Sequence, residues 1–132
     1  MDYLIDTNIC IYILNKRPKA LLDRFENYNS DQIAISSITV AELEYGAKKS
    51  SRVKENLERL ELFLFPFEIL SFDAISGRYY GDIRNSLEKK GCVIGQLDML
   101  IAAQALSRRI TLVTNNQNEF SRIENLKLEN WL

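Results

Sequence analysis

The sequence predicts a three-layer α/β/α sandwich built on a mostly parallel sheet, and three observations carry that expectation. Short apolar runs alternate with longer amphipathic stretches from the first residue to the last, the order that a parallel sheet covered on both faces requires. The first run, Met1 to Ile5, stops at Asp6-Thr7-Asn8, an acid followed by helix-capping residues, which reads as strand, turn, helix. With 132 residues and 46% hydrophobic content, the chain is long enough for one domain, 1–132, around a proper core.

The elements follow in order. After the first strand, Ile9, Ile11, Ile13 and Leu14 lie in a short helix, and Pro18 suits the first position of the next, which carries Ala20, Leu21, Phe25 and Tyr28. Gln32 to Ser36 reads as a buried strand, and Ser36-Ser37 leads into a helix through Val40, Leu43 and Ala47. Val53, Leu57, Leu60 and Leu64 mark another helix, which Pro66 stops; Phe67 to Leu70 is a third strand. Asp73 to Lys90 is the longest helical pattern, with Ile75, Tyr79, Ile83 and Leu87 stepping by four and Gly91 placed to end it. A helix runs from Met99 to Leu106 behind Asp98, Ile110 to Thr114 is a β-branched strand, and Asn115 to Phe120 is a polar turn. Leu126 to Trp131 forms a short last strand, with Trp131 pinning the C-terminus. Within Leu62 to Phe67, the run is too apolar to be fully exposed and divides between core and interface.

Composition excludes whole classes of chemistry. The chain has no histidine, so Ser-His-Asp, Cys-His and His-ligated zinc sites are impossible. Its two cysteines, Cys10 and Cys92, make neither a CxxC motif nor a disulfide framework. Hydrolytic chemistry must rest on carboxylates, hydroxyls, amines or a metal held by oxygen. A net charge of -1 gives no global positive field, although basic pairs occur at Lys48-Lys49, Lys89-Lys90 and Arg108-Arg109. No apolar run approaches the ~20 residues of a membrane span and no signal peptide is visible, so the expectation is a cytoplasmic protein without a membrane partner.

Asp6 follows the first strand, Glu42 lies early in the helix after the second, and Asp98 opens the helix before the Ile110 strand. In a parallel sheet all three fall at the same end, where ligands bind in open α/β folds. Converging carboxylates repel one another unless a cation sits between them, and hard oxygen donors favour Mg²⁺ or Mn²⁺. Such ions activate water and stabilise the leaving oxygen of a phosphodiester. Thr7, Asn8, Thr114, Asn115 and Asn116 are polar neighbours able to hold water or phosphate oxygens. Each acid also has a structural alternative. Asp6 and Asp98 fit helix caps, and Thr39-Val40-Ala41-Glu42 fits a capping box.

Four segments in register resemble one family. Leu4-Ile5-Asp6-Thr7-Asn8, Ser36 to Gly46 with its Val40-Ala41-Glu42-Leu43, Leu97-Asp98-Met99-Leu100-Ile101-Ala102-Ala103, and Leu112-Val113-Thr114-Asn115-Asn116 look like a VapC-type PIN-domain toxin. The resemblance implies a Mg²⁺- or Mn²⁺-dependent endoribonuclease that inhibits translation by cutting structured RNA, a tRNA or a ribosomal RNA loop. It implies Asp6, Glu42 and Asp98 as catalytic acids and metal ligands. It also implies a VapB-type antitoxin whose tail enters the active-site groove, a homodimer, and a toxin–antitoxin hetero-oligomer on promoter DNA. Many PIN domains carry a fourth acid where this chain has Asn115 and Asn116, which leaves Asn116 and Glu119 as candidates for that place and one metal or two as open alternatives. On the same fold the acids also suit a Mg²⁺-dependent phosphohydrolase or DNA nuclease, and as caps alone they suit a non-catalytic scaffold.

Overall fold

The computed structural model describes all 132 residues, Met1 to Leu132. Its strands are β1 (Tyr3–Ile5), β2 (Ile33–Ser36), β3 (Glu68–Leu70), β4 (Thr111–Val113) and β5 (Leu128–Glu129). Its helices are α1 (Thr7–Leu14), α2 (Lys19–Phe25), α3 (Ser37–Lys48), α4 (Val53–Leu64), α5 (Ala74–Lys90), α6 (Gln96–Arg108) and α7 (Gln117–Phe120). The strands form one sheet in the order β3-β2-β1-β4-β5, every neighbouring pair parallel. The expected sandwich is therefore present, with a sheet that is wholly parallel.

Strand periodicity divides the core in two. Leu4, Ala34 and Leu112 are partners across β1, β2 and β4, and their side chains enter the layer formed with α5 and α6. Ile5, Ile33, Ile35 and Val113 point the other way and pack with Ile9, Leu43 and Leu60 from α1, α3 and α4. Trp131 joins that second layer, buried and stacked on Tyr28 with ring centroids 4.5 Å apart, so it anchors the C-terminus as expected.

Several local expectations need correction. Pro18 is the residue before the first turn of α2, not within it, and Tyr28 lies beyond that helix. The polar stretch after β4 is not merely a turn, because Gln117–Phe120 closes one helical turn that carries Phe120 into the core. On α5, Ile83 and Leu87 are buried, but Ile75 is 55% exposed. A spacing of four drifts around a helix of 3.6 residues per turn, so one row cannot face the sheet along the whole of α5. Gly91 ends α5 at φ 68, the left-handed conformation that favours glycine. In the apolar run at the end of α4, Phe63 and Leu64 are half-buried against the second core layer, as the core part of the expectation requires, while Leu62 and Phe65 are exposed.

Candidate active site

The strand order runs 3-2-1 to one side and 4-5 to the other, so the direction of winding reverses between β1 and β4. In sheets of this kind the loops leaving the carboxyl ends of two such strands diverge, and the crevice between them is the usual ligand position. Asp6 leaves β1 at that crevice. It is the residue before α1, buried to 4% exposure, and its Oδ1 accepts the Ile9 N–H at 3.0 Å. The cap and the candidate ligand are thus the same residue. Burial raises the Asp6 pKa to about 6, opposed by hydrogen bonding from Thr114 and the Ile9 N–H and reinforced by the charges of Asp98 and Glu42.

Glu42 is not a capping-box residue. Helix α3 begins at Ser37, and Ser36 caps it by accepting the Ile38 N–H. Glu42 therefore lies well inside the helix and is held from another element. The Thr7 hydroxyl donates to Glu42 Oε1 at 2.6 Å, and the buried Thr39 hydroxyl stands 3.1 Å from that of Thr7. A hydroxyl has one hydrogen, so Thr39 donates in the second contact. The pair fixes one oxygen of Glu42 and leaves Oε2 available.

Asp98 is not a cap either. Helix α6 starts at Gln96 after Gly95, earlier than the sequence suggested, and Asp98 makes no side-chain capping bond in its first turn. Its pKa is raised by burial and then by the charges of Glu42 and Glu119. Gly95 leaves it room, because a Cβ there would stand 3.2 Å from Asp98 Oδ2. Glu119 lies in the first turn of α7, the same position on its helix as Asp98 on α6. Helix N-termini meeting at this edge favour negative charge.

The structure brings Asp6, Glu42 and Asp98 within electrostatic reach of one another, and Glu119 within reach of Asp98. Asn116 precedes α7, and its backbone N–H is held by Thr114 Oγ1 at 3.0 Å. Asn115 donates from Nδ2 to the Tyr12 hydroxyl at 3.2 Å. No three acidic or thiol side chains close into a ring tight enough to enclose an ion by themselves. The donor set nonetheless fits Mg²⁺ or Mn²⁺ in kind, since every candidate atom is oxygen and Mg²⁺ keeps several waters while taking one or two carboxylates. Mutual repulsion among the acids is also the imbalance that a cation relieves.

Sequence reasoning missed Thr39 as a support for Glu42, having weighed it only as a cap. A concavity of about 490 Å³ between α5, α6 and the chain before β5 contains none of these acids. A groove of about 270 Å³ among α1, α3 and α4 has Glu42 in its wall, beside Ile11, Leu14 and Leu43.

Comparison with known proteins identifies the family. Residues 3–126 match the model of the PIN domain. The chain belongs to the PIN-domain family. Within the PIN domains it groups with VapC ribonucleases: it is 48% identical over 132 residues to Ribonuclease VapC2 of Rickettsia felis, covering 99% of this chain and 98% of that one. It is 39% identical over 131 residues to the tRNA(fMet)-specific endonuclease VapC of Shigella flexneri, covering 99% and 98%. The structure of VapBC2 from Rickettsia felis bound to a DNA fragment from its promoter contains a chain 47% identical to this PIN domain, with a TM-score of 0.91 and full coverage of both chains. The PIN fold and the endoribonuclease class expected from the motifs are therefore those of the family.

Proposed function

We propose that this PIN domain is the toxin of a toxin–antitoxin pair, a divalent-metal-dependent endoribonuclease acting on structured RNA of the tRNA class. The observation that carries the reading is the convergence of Asp6, Glu42 and Asp98 at the crevice between β1 and β4, each shifted carboxyl raised partly by the charge of another. The Shigella flexneri relative, named for tRNA(fMet), supports the substrate class.

In this reading Asp6 and Asp98 hold the ion, with Glu42 beside it and Glu119 as the further acid. Bound there, Mg²⁺ or Mn²⁺ supplies a more acidic water and stabilises charge on the phosphoryl oxygens. Glu42, held through Oε1 by Thr7, presents Oε2 to orient the attacking water and accept its proton. The first-turn amides of α6 and α7 face the same edge and receive the negative backbone of the substrate. Asn116 positions solvent on the far side of the crevice.

The partner in this reading is a VapB-type antitoxin, as in the VapBC2 complex of Rickettsia felis; the reading further takes this chain as a homodimer within a toxin–antitoxin hetero-oligomer. The groove beside Glu42, with its apolar Ile11, Leu14 and Leu43, is suited to the antitoxin's tail. The test is cleavage of tRNA, ribosomal RNA, DNA and nucleotide esters side by side, with Mg²⁺, with Mn²⁺ and with EDTA. Metal-dependent cleavage confined to RNA supports the proposal; cleavage of DNA or nucleotides in preference to RNA replaces it.

A further inference from the structure

Asp98 and Glu42 ride on different helices, α6 and α3, and something must fix their separation. The surface of α6 against the sheet includes Ala102, Ala103 and Ala105, all fully buried. Such small residues let a helix lie close but resist sliding or rotation weakly, because dispersion contacts carry little directional preference. Ser107 meets Ser76 of α5 at 3.3 Å, but the directional contacts of α6 with the strand ends come from one polar side chain. Gln104 is 1% exposed and lies six positions after Asp98 on α6. Its Oε1 accepts the hydroxyl of the fully buried Ser36, and its Nε2 donates to the Leu70 carbonyl oxygen at 3.0 Å.

Each of these partners has a second attachment. Ser36 ends β2, and its Oγ accepts the Ile38 N–H at 3.0 Å, so the atom that receives α6 also starts α3, six positions before Glu42. Leu70 ends β3. Gln104 thus ties α6 to the ends of β2 and β3 and to the first turn of α3 through bonds that fail within a few tenths of an ångström or a modest rotation. Its amide can satisfy both partners in one orientation only, oxygen toward Ser36 and nitrogen toward Leu70.

We propose that Gln104, acting with Ser36, is a positioning residue that sets the distance of Asp98 from Glu42 and thereby the geometry of the divalent-cation site. This inference rests on the metal-dependent reading given above. Gln104 touches neither substrate nor ion; it acts through α6.

The experiment compares the parent with Gln104→Met, which keeps volume and removes both bonds, and Ser36→Ala, which removes the shared hydroxyl. Ile83→Val, a core change on α5, controls for lost stability. Thermal unfolding is followed against Mn²⁺ concentration without RNA, and RNA cleavage is measured well below the melting temperature. For Gln104→Met and Ser36→Ala, the Mn²⁺ concentration giving half the thermal upshift rises about ten-fold. Their kcat falls about ten-fold with little change in KM, since small displacements of catalytic groups are costly. Ile83→Val changes neither. If the parent responds to Mn²⁺ and both variants respond at the same concentration with the parent's kcat, the positioning role is overturned. A parent whose melting temperature ignores Mn²⁺ overturns the metal reading, and this inference with it. Should Gln104→Met fail to fold, Ser36→Ala alone decides.

Discussion

The two ends of β1 are only a few residues apart and are built on opposite principles. At its start, Tyr3 meets Tyr28 and Trp131 edge-on at 5.0 and 5.1 Å, Tyr28 stacks on Trp131, and the Trp131 Nε1–H donates to Glu129 at 3.0 Å. Apolar area and polar handles are all matched there. At its end, Asp6 is buried among other carboxylates and held above its ordinary pKa. One end contributes stability and the other consumes it. Such a cluster of acids is a local cost to the folded chain, tolerated because the rest of the fold offsets it.

Four experiments test this contrast. The largest effect belongs to the acid end. Asp98→Asn and, separately, Asp6→Asn lower RNA cleavage by about 10²-fold or more, the loss typical of removing a group that stabilises transition-state charge. Circular dichroism and the melting temperature then show the fold retained; full cleavage by both variants would refute the site. At the other end, Trp131→Ala costs about 3 to 5 kcal/mol, read from urea unfolding, and leaves cleavage well below the melting temperature unchanged.

The third effect is pH dependence of the metal-free protein. Asp6 binds a proton more tightly folded, at about 6, than unfolded, at 3.8, so its protonation favours the folded state between those values. Stability in EDTA is greatest below the lower value and declines as pH rises through the upper one, by on the order of 3 kcal/mol for a shift of this size. Asp6→Asn retains the helix cap and flattens that decline in a series of melting curves from pH 4 to 8. The smallest effect is Thr7→Val, which frees Glu42 Oε1. Loss of one hydrogen bond to a charged group at the edge of the site lowers kcat about five-fold, for about 1 kcal/mol, measured well below the melting temperature because the buried Thr39 hydroxyl also loses its acceptor.

What could be read from the sequence follows the range of the forces involved. Strand and helix positions were legible because they rest on periodicity and on local stops such as Pro66 and Gly91. Asp6, Glu42 and Asp98 were legible as candidates because strand-end acids in a histidine-free chain leave few other routes to hydrolysis. Their supports were not. Glu42 looked like a capping partner of Thr39, since that motif lies within four residues; the contact that holds it comes from Thr7, 35 positions away. Gln104 likewise bonds Ser36 across 68 positions. Yet a single amide among Met99 to Leu106 was a signal, because a polar group buried in an apolar helix must find partners. The turn of α7 was hidden by its polar composition, and only Phe120 betrays that it turns inward.

The absence of histidine has a practical outcome at this site. Charge changes between pH 5 and 7 usually report a background of imidazoles. This chain has none, and Asp6, near 6, sits in that window. Proton release on adding Mn²⁺ to unbuffered protein therefore carries no histidine background. A pH electrode becomes a direct gauge of whether the raised carboxyls of the site, Asp6 and Asp98, have exchanged protons for a metal.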